Sequence, residues 1–347
     1  MDDAHDPGLL HSEDHEADSG DQVLRPSRLD EFQGQAAIKA NLKVFIEAAK
    51  AREDALDHVF ISGPPGLGKT TLASIMAHEL GVEFRVTSAP AVEKPKDVAG
   101  ILTAISPKTV FFIDEIHRLK PAIEEMLYIA MEDYELDWII GQGPAARTIR
   151  IPVPPFTLVG ATTKAGLVSG PLFSRFGINV RIDLYGEEEI ANVLRRSATI
   201  LGVEIDEEAI ALTAACSRGT PRVANRLLRR LRDFAQVLGD GNIDKKTVET
   251  AFSRLEIDTA GLEAHDREIL RTIIQVYQGG PVGAETLAVS VGEAIDTLED
   301  FYEPYLIRRG LLKRTPRGRV VTGLAYRHLG LPEPESTDTH EDQRFLF

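Results

Sequence analysis

The stretch Gly63-Pro-Pro-Gly-Leu-Gly-Lys-Thr-Thr71 matches the phosphate-binding pattern G-x-x-x-x-G-K-[ST] at every position. The apolar run His58-Val-Phe-Ile-Ser62 before it predicts a buried strand, and Lys69 to Leu80 after it predict a helix that stops at Gly81. A strand that leads through a glycine-rich loop into a helix N-terminus presents backbone N–H groups to phosphate. A loop that only turns the chain would not need this context. The stretch therefore predicts a nucleoside triphosphate site.

Individual residues of this loop have separate expected roles. Lys69 is placed to reach the β- and γ-phosphates, and Thr70 to ligate Mg²⁺. The glycines permit backbone angles and close approaches that a side chain would prevent. The residues of the loop predicted to bind ATP are Gly66, Gly68, Lys69, Thr70 and Thr71.

Composition indicates an ordinary globular protein. The chain has 347 residues, of which 43% are hydrophobic and 27% charged. No apolar run reaches membrane-spanning length, and the N-terminus lacks an apolar signal core. The single cysteine, Cys216, lies in an apolar helical stretch, which favours a buried thiol over a nucleophile. We expect a cytoplasmic protein with no membrane partner.

Charge is unevenly distributed along the chain. The formal net charge is −15, and the first 22 residues hold eight acids with little to bury, which predicts a disordered acidic tail over residues 1–22. Tyr305 to Arg327, by contrast, holds seven basic residues and no acid. Local charge is therefore a better guide to partners than net charge.

The pattern of periodicities predicts three domains. Residues 23–185 alternate helices with apolar strands at His58–Ser62, Glu83–Thr87, Val110–Asp114, Phe156–Thr162 and Ile178–Asp183. This pattern predicts an α/β domain with a parallel sheet and helices on both faces. Residues 186–258 predict four helices, and residues 259–331 predict three helices and a basic hairpin, as in a winged-helix domain. Residues 332–347 form a polar tail.

A second motif begins 41 residues after Lys69. The run Val110-Phe-Phe-Ile-Asp-Glu-Ile116 places Asp114 and Glu115 at the C-terminal end of a buried strand, where α/β folds bind ligands. We expect Asp114 to help hold Mg²⁺ and Glu115 to polarise the attacking water. The alternative is two acids that only cap a strand. A water activator distinguishes an ATPase from a small-molecule kinase.

Together with further segments, these motifs resemble the AAA+ ATPases, and within them the RuvB family of Holliday-junction branch migration motors. The resemblance covers about Leu24 to Leu331. The segments that carry it are Leu24–Pro26, Phe32–Gln35, Phe60–Thr71, Ile113–Leu119, Gly160–Thr163, Ser174–Phe176, Gly219–Arg222, Tyr302–Ile307 and Arg314–Arg319. The four-helix domain would then be the AAA+ lid.

The resemblance implies further roles at the ATP site. The residues that would line the nucleotide pocket are Leu24, Arg25, Glu132, Asp133, Tyr134 and Tyr185. Thr163 would be the polar sensor, with Thr162 as the alternative. Arg222 would report nucleotide state from the lid, although it could also cap or pair within the helical domain. Arg175 would act in trans on a neighbouring subunit, although it could also form a surface ion pair.

The third domain is expected to hold DNA through its hairpin. Its third predicted helix, from Glu293, carries five acids in Glu293–Glu303, whereas the hairpin carries Lys313, Arg314, Arg317 and Arg319. DNA contact should come from the hairpin and go mostly to phosphates. A basic hairpin on a solvated surface is the alternative. The chain has Ala294 and Ile295 where the family often has an arginine, and Arg308 or Arg309 could compensate.

Residues 135–156 predict a hairpin inserted in the α/β domain. Its arms flank Gly141-Gln-Gly-Pro144, with Trp138 and Ile140 on one face and Ile139 on the other. The resemblance makes this the hairpin that docks on RuvA, through Ile139, Ile140 and Ile149. The alternative is a hairpin packed on its own domain.

The resemblance as a whole implies an ATP-driven motor of recombination and repair. It would form a homohexameric ring around duplex DNA at Holliday junctions, with RuvA as partner and RuvC resolvase as a further candidate. One rival is a clamp-loader-type ATPase, which normally lacks a basic winged domain. The other is an ATP-gated DNA-binding switch, which needs a basic recognition helix that this chain does not have.

Overall fold

The computed structural model describes residues 23–140 and 147–333. The predicted acidic tail, residues 334–347 of the polar tail and the turn at Gly141–Pro144 lie outside the described residues. The chain divides into two compact units between Val248 and Glu249. No helix of the described part combines the length and the apolar character that a bilayer crossing requires.

The first unit is built on a parallel five-stranded sheet with the order β2-β3-β6-β1-β7. Its strands are β1 Val59–Ser62, β2 Phe84–Ser88, β3 Val110–Asp114, β6 Thr157–Thr162 and β7 Ile178–Arg181. A separate antiparallel pair is formed by β4 Glu135–Ile140 and β5 Arg147–Pro152. The predicted parallel sheet is therefore confirmed.

The central strands are apolar because both of their faces are covered. Phe111, Phe112 and Ile113 of β3 are fully buried, and every residue of β6 is buried. Burial of each such large apolar side chain contributes about 1.5–3 kcal/mol. The helices of this α/β part are α1 Ala36–Arg52, α2 Lys69–Leu80, α3 Pro95–Leu102, α4 Pro121–Asp133 and α5 Gly170–Phe173.

Strand order brings three segments to one edge of the sheet. β6 lies between β1 and β3, with Ser62 beside Thr162 and Ile113 beside Gly160. Because the strands are parallel, the loops that follow their carboxyl ends all leave the same edge. The phosphate-binding loop, Thr163 and the Asp114-Glu115 pair therefore converge there.

Helices continue the first unit after the sheet. They are α6 Glu187–Leu201, α7 Glu207–Cys216, α8 Pro221–Leu238 and α9 Lys245–Arg254, which crosses the division between the units. Asp206 caps α7 by accepting a hydrogen bond from the Ala209 backbone N–H at 2.6 Å. Cys216 is buried, as predicted.

The second unit has its own core. It contains α10 Ala264–Gln275, α11 Ala284–Val291, α12 Ile295–Thr297, α13 Glu303–Arg308, the hairpin β8 Leu312–Thr315 with β9 Gly318–Val321, and α14 Gly323–Leu329. Buried side chains from the helices and the hairpin pack together, including Leu270, Leu287, Leu306, Leu312 and Val321.

The third helix predicted for this unit is not one regular α-helix. A π-helical turn at Leu298–Tyr302 separates α12 from α13. Pro304 follows that turn, and proline has no N–H for the i→i−4 bond and crowds the preceding turn. The prediction of a single helix from Glu293 to Arg309 was therefore wrong in its interior.

Candidate functional site

The phosphate-binding loop joins β1 to α2. Gly68 precedes the helix with φ +93°, and its carbonyl accepts the hydrogen bond from the Leu72 N–H at 2.8 Å. The first N–H groups of a helix have no partners within the helix, and the helix dipole is positive there. The start of α2 is therefore an anion-binding end, at the edge of the sheet where the motifs converge.

Gly66 is a loop position that requires glycine because the chain packs closely there. Its φ is +76°, and a Cβ placed there would lie 2.7 Å from Thr220 Cγ2 and 3.1 Å from Arg222 Cβ. The Arg222 N–H donates to the Gly66 carbonyl at 3.4 Å. The loop and the start of α8 thus pack in direct contact, which brings Arg222 to the phosphate-binding loop.

Lys69 is held at the loop by main-chain oxygens. Its Nζ donates to the carbonyls of Gly63 and Pro64, both at 3.0 Å, and the side chain is only 7% exposed. Burial lowers the pKa of Lys69, while the nearby carboxylates of Asp114 and Glu115 act in the opposite direction. A phosphate oxygen would complete the coordination of this buried ammonium group.

Asp114 and Glu115 follow one another at the end of β3. Asp114 Oδ1 accepts a hydrogen bond from the Glu115 N–H at 2.9 Å, and Glu115 has a left-handed φ of +50°. Burial and the adjacent Asp114 carboxylate raise the pKa of Glu115, against the opposing effect of Lys69. The turn gives the two acids different directions and different environments.

The two candidate sensor threonines occupy different environments. Thr163 lines the cleft, and its hydroxyl donates to Glu115 Oε2 at 3.4 Å. Thr162 is fully buried, and its hydroxyl lies 2.8 Å from Nδ1 of His117. Of the two threonines, only Thr163 therefore lines the cleft and contacts the Glu115 carboxylate.

These groups line one cleft of about 200 Å³. Sequence-predicted residues that line it are Leu24, Arg25, Gly66, Gly68, Lys69, Thr70, Thr71, Asp114, Glu115, Thr163, Tyr185 and Arg222. Tyr185 is buried, and its hydroxyl donates to the Leu67 carbonyl at 3.3 Å. Thr70 and Asp114 place a hydroxyl and a carboxylate in the same cleft as Lys69, and hard oxygen groups of this kind can hold Mg²⁺. Within the described residues, no group of three or more His, Cys, Asp or Glu could hold a metal.

Several residues of the cleft were missed by sequence reasoning. Arg196 on α6 donates to the Leu24 carbonyl at 2.7 Å and pairs with Glu31 at 3.6 Å. Asn225 on α8 also lines the cleft, and its Oδ1 accepts from Ser197 Oγ at 2.7 Å. Neither lies in a motif, so only tertiary packing identifies them.

The prediction that Glu132, Asp133 and Tyr134 line this cleft is not met among its described lining residues. They stand at the end of α4, where Tyr134 packs edge-on against Phe156 with ring centroids 6.2 Å apart. Tyr134 also has the left-handed φ of +52° that ends the helix. Glu132 and Asp133 are exposed, and Glu132 forms an ion pair with Arg175.

Arg175 lies beside that end of α4 and outside the lining of the described cleft. Its guanidinium donates to the Pro171 carbonyl at 2.8 Å and to Glu132 Oε2 at 3.0 Å, and it lies 4.9 Å from the centre of the Tyr128 ring. These contacts fix its direction. The ion pair considered as an alternative is thus present, at a side chain that is 30% exposed.

Comparison with known proteins identifies the family. Residues 24–182 match the Holliday junction DNA helicase RuvB P-loop domain, residues 185–258 the RuvB AAA lid domain, and residues 259–330 the RuvB C-terminal winged helix domain. The chain belongs to the RuvB family. The predicted fold class, a P-loop AAA+ domain followed by a lid and a winged helix, is confirmed.

Individual RuvB relatives match nearly the whole chain. It is 65% identical over 333 residues to the Holliday junction branch migration complex subunit RuvB of Treponema denticola, covering 96% of this chain and 97% of that protein. The corresponding Borreliella burgdorferi subunit is 56% identical over 339 residues, covering 98% and 97%. The solved Thermotoga maritima RuvB Holliday junction branch migration motor is 49% identical with a TM-score of 0.83, covering 90% of this chain and 100% of that one.

The basic hairpin of the RuvB winged-helix region does not expose all four predicted cations. Lys313 and Arg317 are exposed. Arg319 is only 8% exposed and pairs through Nε with the fully buried Glu303 at 2.5 Å, and through an NH₂ group with Glu299 at 2.5 Å. Arg319, predicted as a DNA-binding residue, is thus a buried and paired cation, because the acidic helical run supplies its counter-charges.

Arg314 combines features of both groups, because its side chain reaches solvent like Lys313 and Arg317 and is paired with acids like Arg319. It is half exposed, and its guanidinium pairs with Glu303 Oε2 at 2.5 Å. Two of the five acids that made the third helix a poor DNA surface, Glu299 and Glu303, thus form ion pairs with the hairpin. Ile295, where the family often has arginine, is 39% exposed, and Arg308 and Arg309 are exposed nearby in the sequence.

The inserted hairpin of this RuvB-family chain presents one described partner-binding candidate. Ile149 is 41% exposed and lies opposite Trp138 across the β4–β5 pair. Trp138 is half-buried and packs against the core of its own domain. The side chains of Ile139 and Ile140 are outside the described residues, so their docking role stays a prediction.

Proposed function

We propose that this chain is the ATP-driven subunit that branch-migrates Holliday junctions, drawing duplex DNA through the junction by hydrolysing ATP. The observation that carries this proposal is the convergence of Lys69, Asp114, Glu115 and Thr163 in one cleft. Binding of ATP requires Lys69, and hydrolysis requires in addition a group that activates water, which here is Glu115. The names of the RuvB relatives supply the DNA substrate.

In the proposal, ATP lies with its phosphates at the start of α2 and its adenine near Leu24, Arg25 and Tyr185. Lys69 exchanges its two carbonyl contacts for β- and γ-phosphate oxygens, which are better partners for a buried ammonium group. Thr70 and Asp114 would hold Mg²⁺, which when bound neutralises charge on the phosphates.

Glu115 would act as the general base that polarises the attacking water. Its carboxylate lies in the cleft and accepts a hydrogen bond from the Thr163 hydroxyl at 3.4 Å. In Glu115→Gln we expect ATP binding to persist, because Lys69, Thr70 and Asp114 remain, and turnover to fall roughly 10²–10⁴-fold. Equal turnover in wild type and Glu115→Gln would exclude this role. Nucleotide titration alongside phosphate release separates binding from hydrolysis.

Arg175 would complete the ATP site of a neighbouring subunit in a homohexameric ring. Support comes from its position outside the described cleft of its own chain, and from the Tyr128, Pro171 and Glu132 contacts that hold it in one direction. An arginine supplied in trans gives roughly 10³–10⁵ in rate. Glu132, Asp133 and Tyr134, which stand beside it, would face the same neighbouring nucleotide.

Mixed rings test this arrangement. Subunits with Arg175→Ala keep an intact cleft but offer no arginine, whereas subunits with Lys69→Ala offer the arginine but cannot bind phosphate properly. If the arginine acts in trans, mixing two nearly inactive proteins restores ATPase activity. No recovery in mixtures that form rings of normal size would count against a shared site.

DNA would be held by the winged-helix hairpin through phosphates. Lys313 and Arg317 are the exposed cations, and Arg314 can reach a phosphate with the half of its side chain that is exposed. Arg319 would support the hairpin from beneath. Such contacts read no bases, which suits a motor that moves along any sequence.

RuvA is the partner proposed for the inserted hairpin. The exposed Ile149 offers an apolar contact there, with Ile139 and Ile140 as further candidates. RuvC resolvase is a second candidate partner, acting on the same junction. A cytoplasmic location is part of the proposal, and the Holliday-junction substrate in the names of the relatives supports it.

A further inference from the structure

His117 is a polar residue next to the catalytic acids whose position the proposed mechanism does not yet use. It lies in the short 3₁₀ turn Ile116–Arg118 that follows β3, and its side chain is 9% exposed. It does not belong to the described lining of the cleft. The imidazole therefore contacts the Glu115 carboxylate without being part of that lining.

One ring nitrogen of His117 contacts both neighbouring motifs. Its Nδ1 lies 3.2 Å from Glu115 Oε2 and 2.8 Å from Thr162 Oγ1. Glu115 belongs to the β3 motif, and Thr162 is the last residue of β6, directly before the candidate sensor Thr163. One atom thus connects the proposed general base to the neighbouring strand.

The contacts determine where the imidazole carries its proton. The tautomer with hydrogen on Nδ1 suits both contacts, because an unprotonated Nδ1 would turn its lone pair toward the Glu115 carboxylate at 3.2 Å. Thr162 Oγ1 also accepts the Lys164 N–H at 2.9 Å, which fixes the hydroxyl oxygen relative to the main chain. Nδ1–H can therefore be shared between a fixed oxygen on β6 and the movable carboxylate of Glu115.

We propose that His117 is a positioning residue, which directs the Glu115 carboxylate by hydrogen bonding from Nδ1–H while anchored to Thr162. The inference rests on the proposed role of Glu115 in ATP hydrolysis. A general base must point its oxygen at the water, and its orientation is often set by a third group. Thr163 supplies one such contact at 3.4 Å, and His117 supplies the second.

Three substitutions of His117 separate orientation from simple packing. The amide nitrogen of asparagine falls near the position of Nδ1, whereas that of glutamine falls near Nε2. We expect His117→Ala and His117→Gln to lower kcat for ATP about tenfold with unchanged nucleotide affinity, as loss of one hydrogen bond predicts. His117→Asn should recover most of kcat. His78→Ala, at an exposed histidine on α2, is the matched control.

Each outcome decides the inference. Loss of kcat in the alanine and glutamine variants with rescue by asparagine supports it. Wild-type kcat in His117→Ala overturns it, as does an equal loss of kcat and nucleotide affinity in all three variants, which would indicate a structural role. If the wild-type chain with DNA and RuvA turned over no ATP, the proposed function itself would fail, and that result differs from any of these.

Discussion

Replacing Glu303 with glutamine should loosen the DNA-binding hairpin. The Glu303 side chain is fully buried, with Oε1 accepting from Arg319 Nε and Oε2 accepting from Arg314, both at 2.5 Å. Glutamine keeps the size and one acceptor oxygen. It removes the negative charge, however, and turns an NH₂ group toward a guanidinium. Arg319 is then a buried cation with one remaining anionic partner, Glu299.

The magnitude follows from burial. Breaking a buried ion pair by removing one partner costs about 3–5 kcal/mol. Glu299 still pairs with Arg319, so we expect the lower end, about 3 kcal/mol. At about 1.4 kcal/mol per factor of ten, amides of β8 and β9 should exchange with solvent on the order of 100-fold faster. The binding of duplex DNA should weaken with it.

Native-state hydrogen exchange on the full-length chain measures this effect segment by segment. Glu285→Gln is the control, because it makes the same change at an exposed glutamate on α11. The amides of the central sheet strand β3 should be unaffected in both variants. If Leu312–Val321 exchanged at the same rate in Glu303→Gln and in the control, the ion pairs would not be what holds the hairpin.

Three further predictions concern other parts of the chain. His58 accepts the Leu158 N–H at 2.8 Å and contacts the Met131 carbonyl at 3.1 Å, and burial lowers its pKa. Its contribution to stability is therefore present above the unfolded pKa of about 6.5 and is lost as the pH falls through the lower folded value. As the pH is lowered, the urea midpoint of unfolding, followed by Trp138 fluorescence, should decrease in wild type and decrease less in His58→Gln. An equal dependence of the midpoint on pH in both proteins would contradict the role given to His58. Gly66→Ala should weaken binding of a fluorescent ATP analogue at least about tenfold, since the methyl group meets the start of α8 in a left-handed backbone; Gly100→Ala, where a Cβ meets nothing within 4 Å, should not. Removing the charge of Lys313 should reduce the slope of log affinity for duplex DNA against log salt by about one, equally for unrelated sequences, and an unchanged slope would exclude a phosphate contact.

Local motifs made the phosphate site predictable from sequence. In Gly63–Thr71 the loop, the following helix and the lysine are contiguous, so the spacing alone fixes their geometry. Asp114 and Glu115 were equally accessible, because a buried strand ending in acids has one natural position at the edge of a parallel sheet. The predicted sheet was confirmed for the same reason.

Residues brought in from distant segments were not predictable. Arg196 reaches the cleft by bonding to Leu24, 172 positions away, and no spacing rule encodes that contact. Arg319 was predicted as a DNA contact because it is one of four basic residues in the hairpin. Its counter-charge lies 16 positions earlier, and only the packing of the helical run against the hairpin brings Glu303 beneath it. The number of charged residues in a segment reveals neither the contact of Arg196 with Leu24 nor that of Arg319 with Glu303.

The most direct test of the central claim is ATP-dependent dissociation of a synthetic four-way DNA junction in the presence of RuvA. The account predicts that the wild-type chain converts the junction to duplex products only with hydrolysable ATP. Glu115→Gln should bind ATP and the junction but leave the junction intact. Dissociation at the wild-type rate by Glu115→Gln, or by wild type without ATP, would contradict the claim that hydrolysis in this cleft drives branch migration.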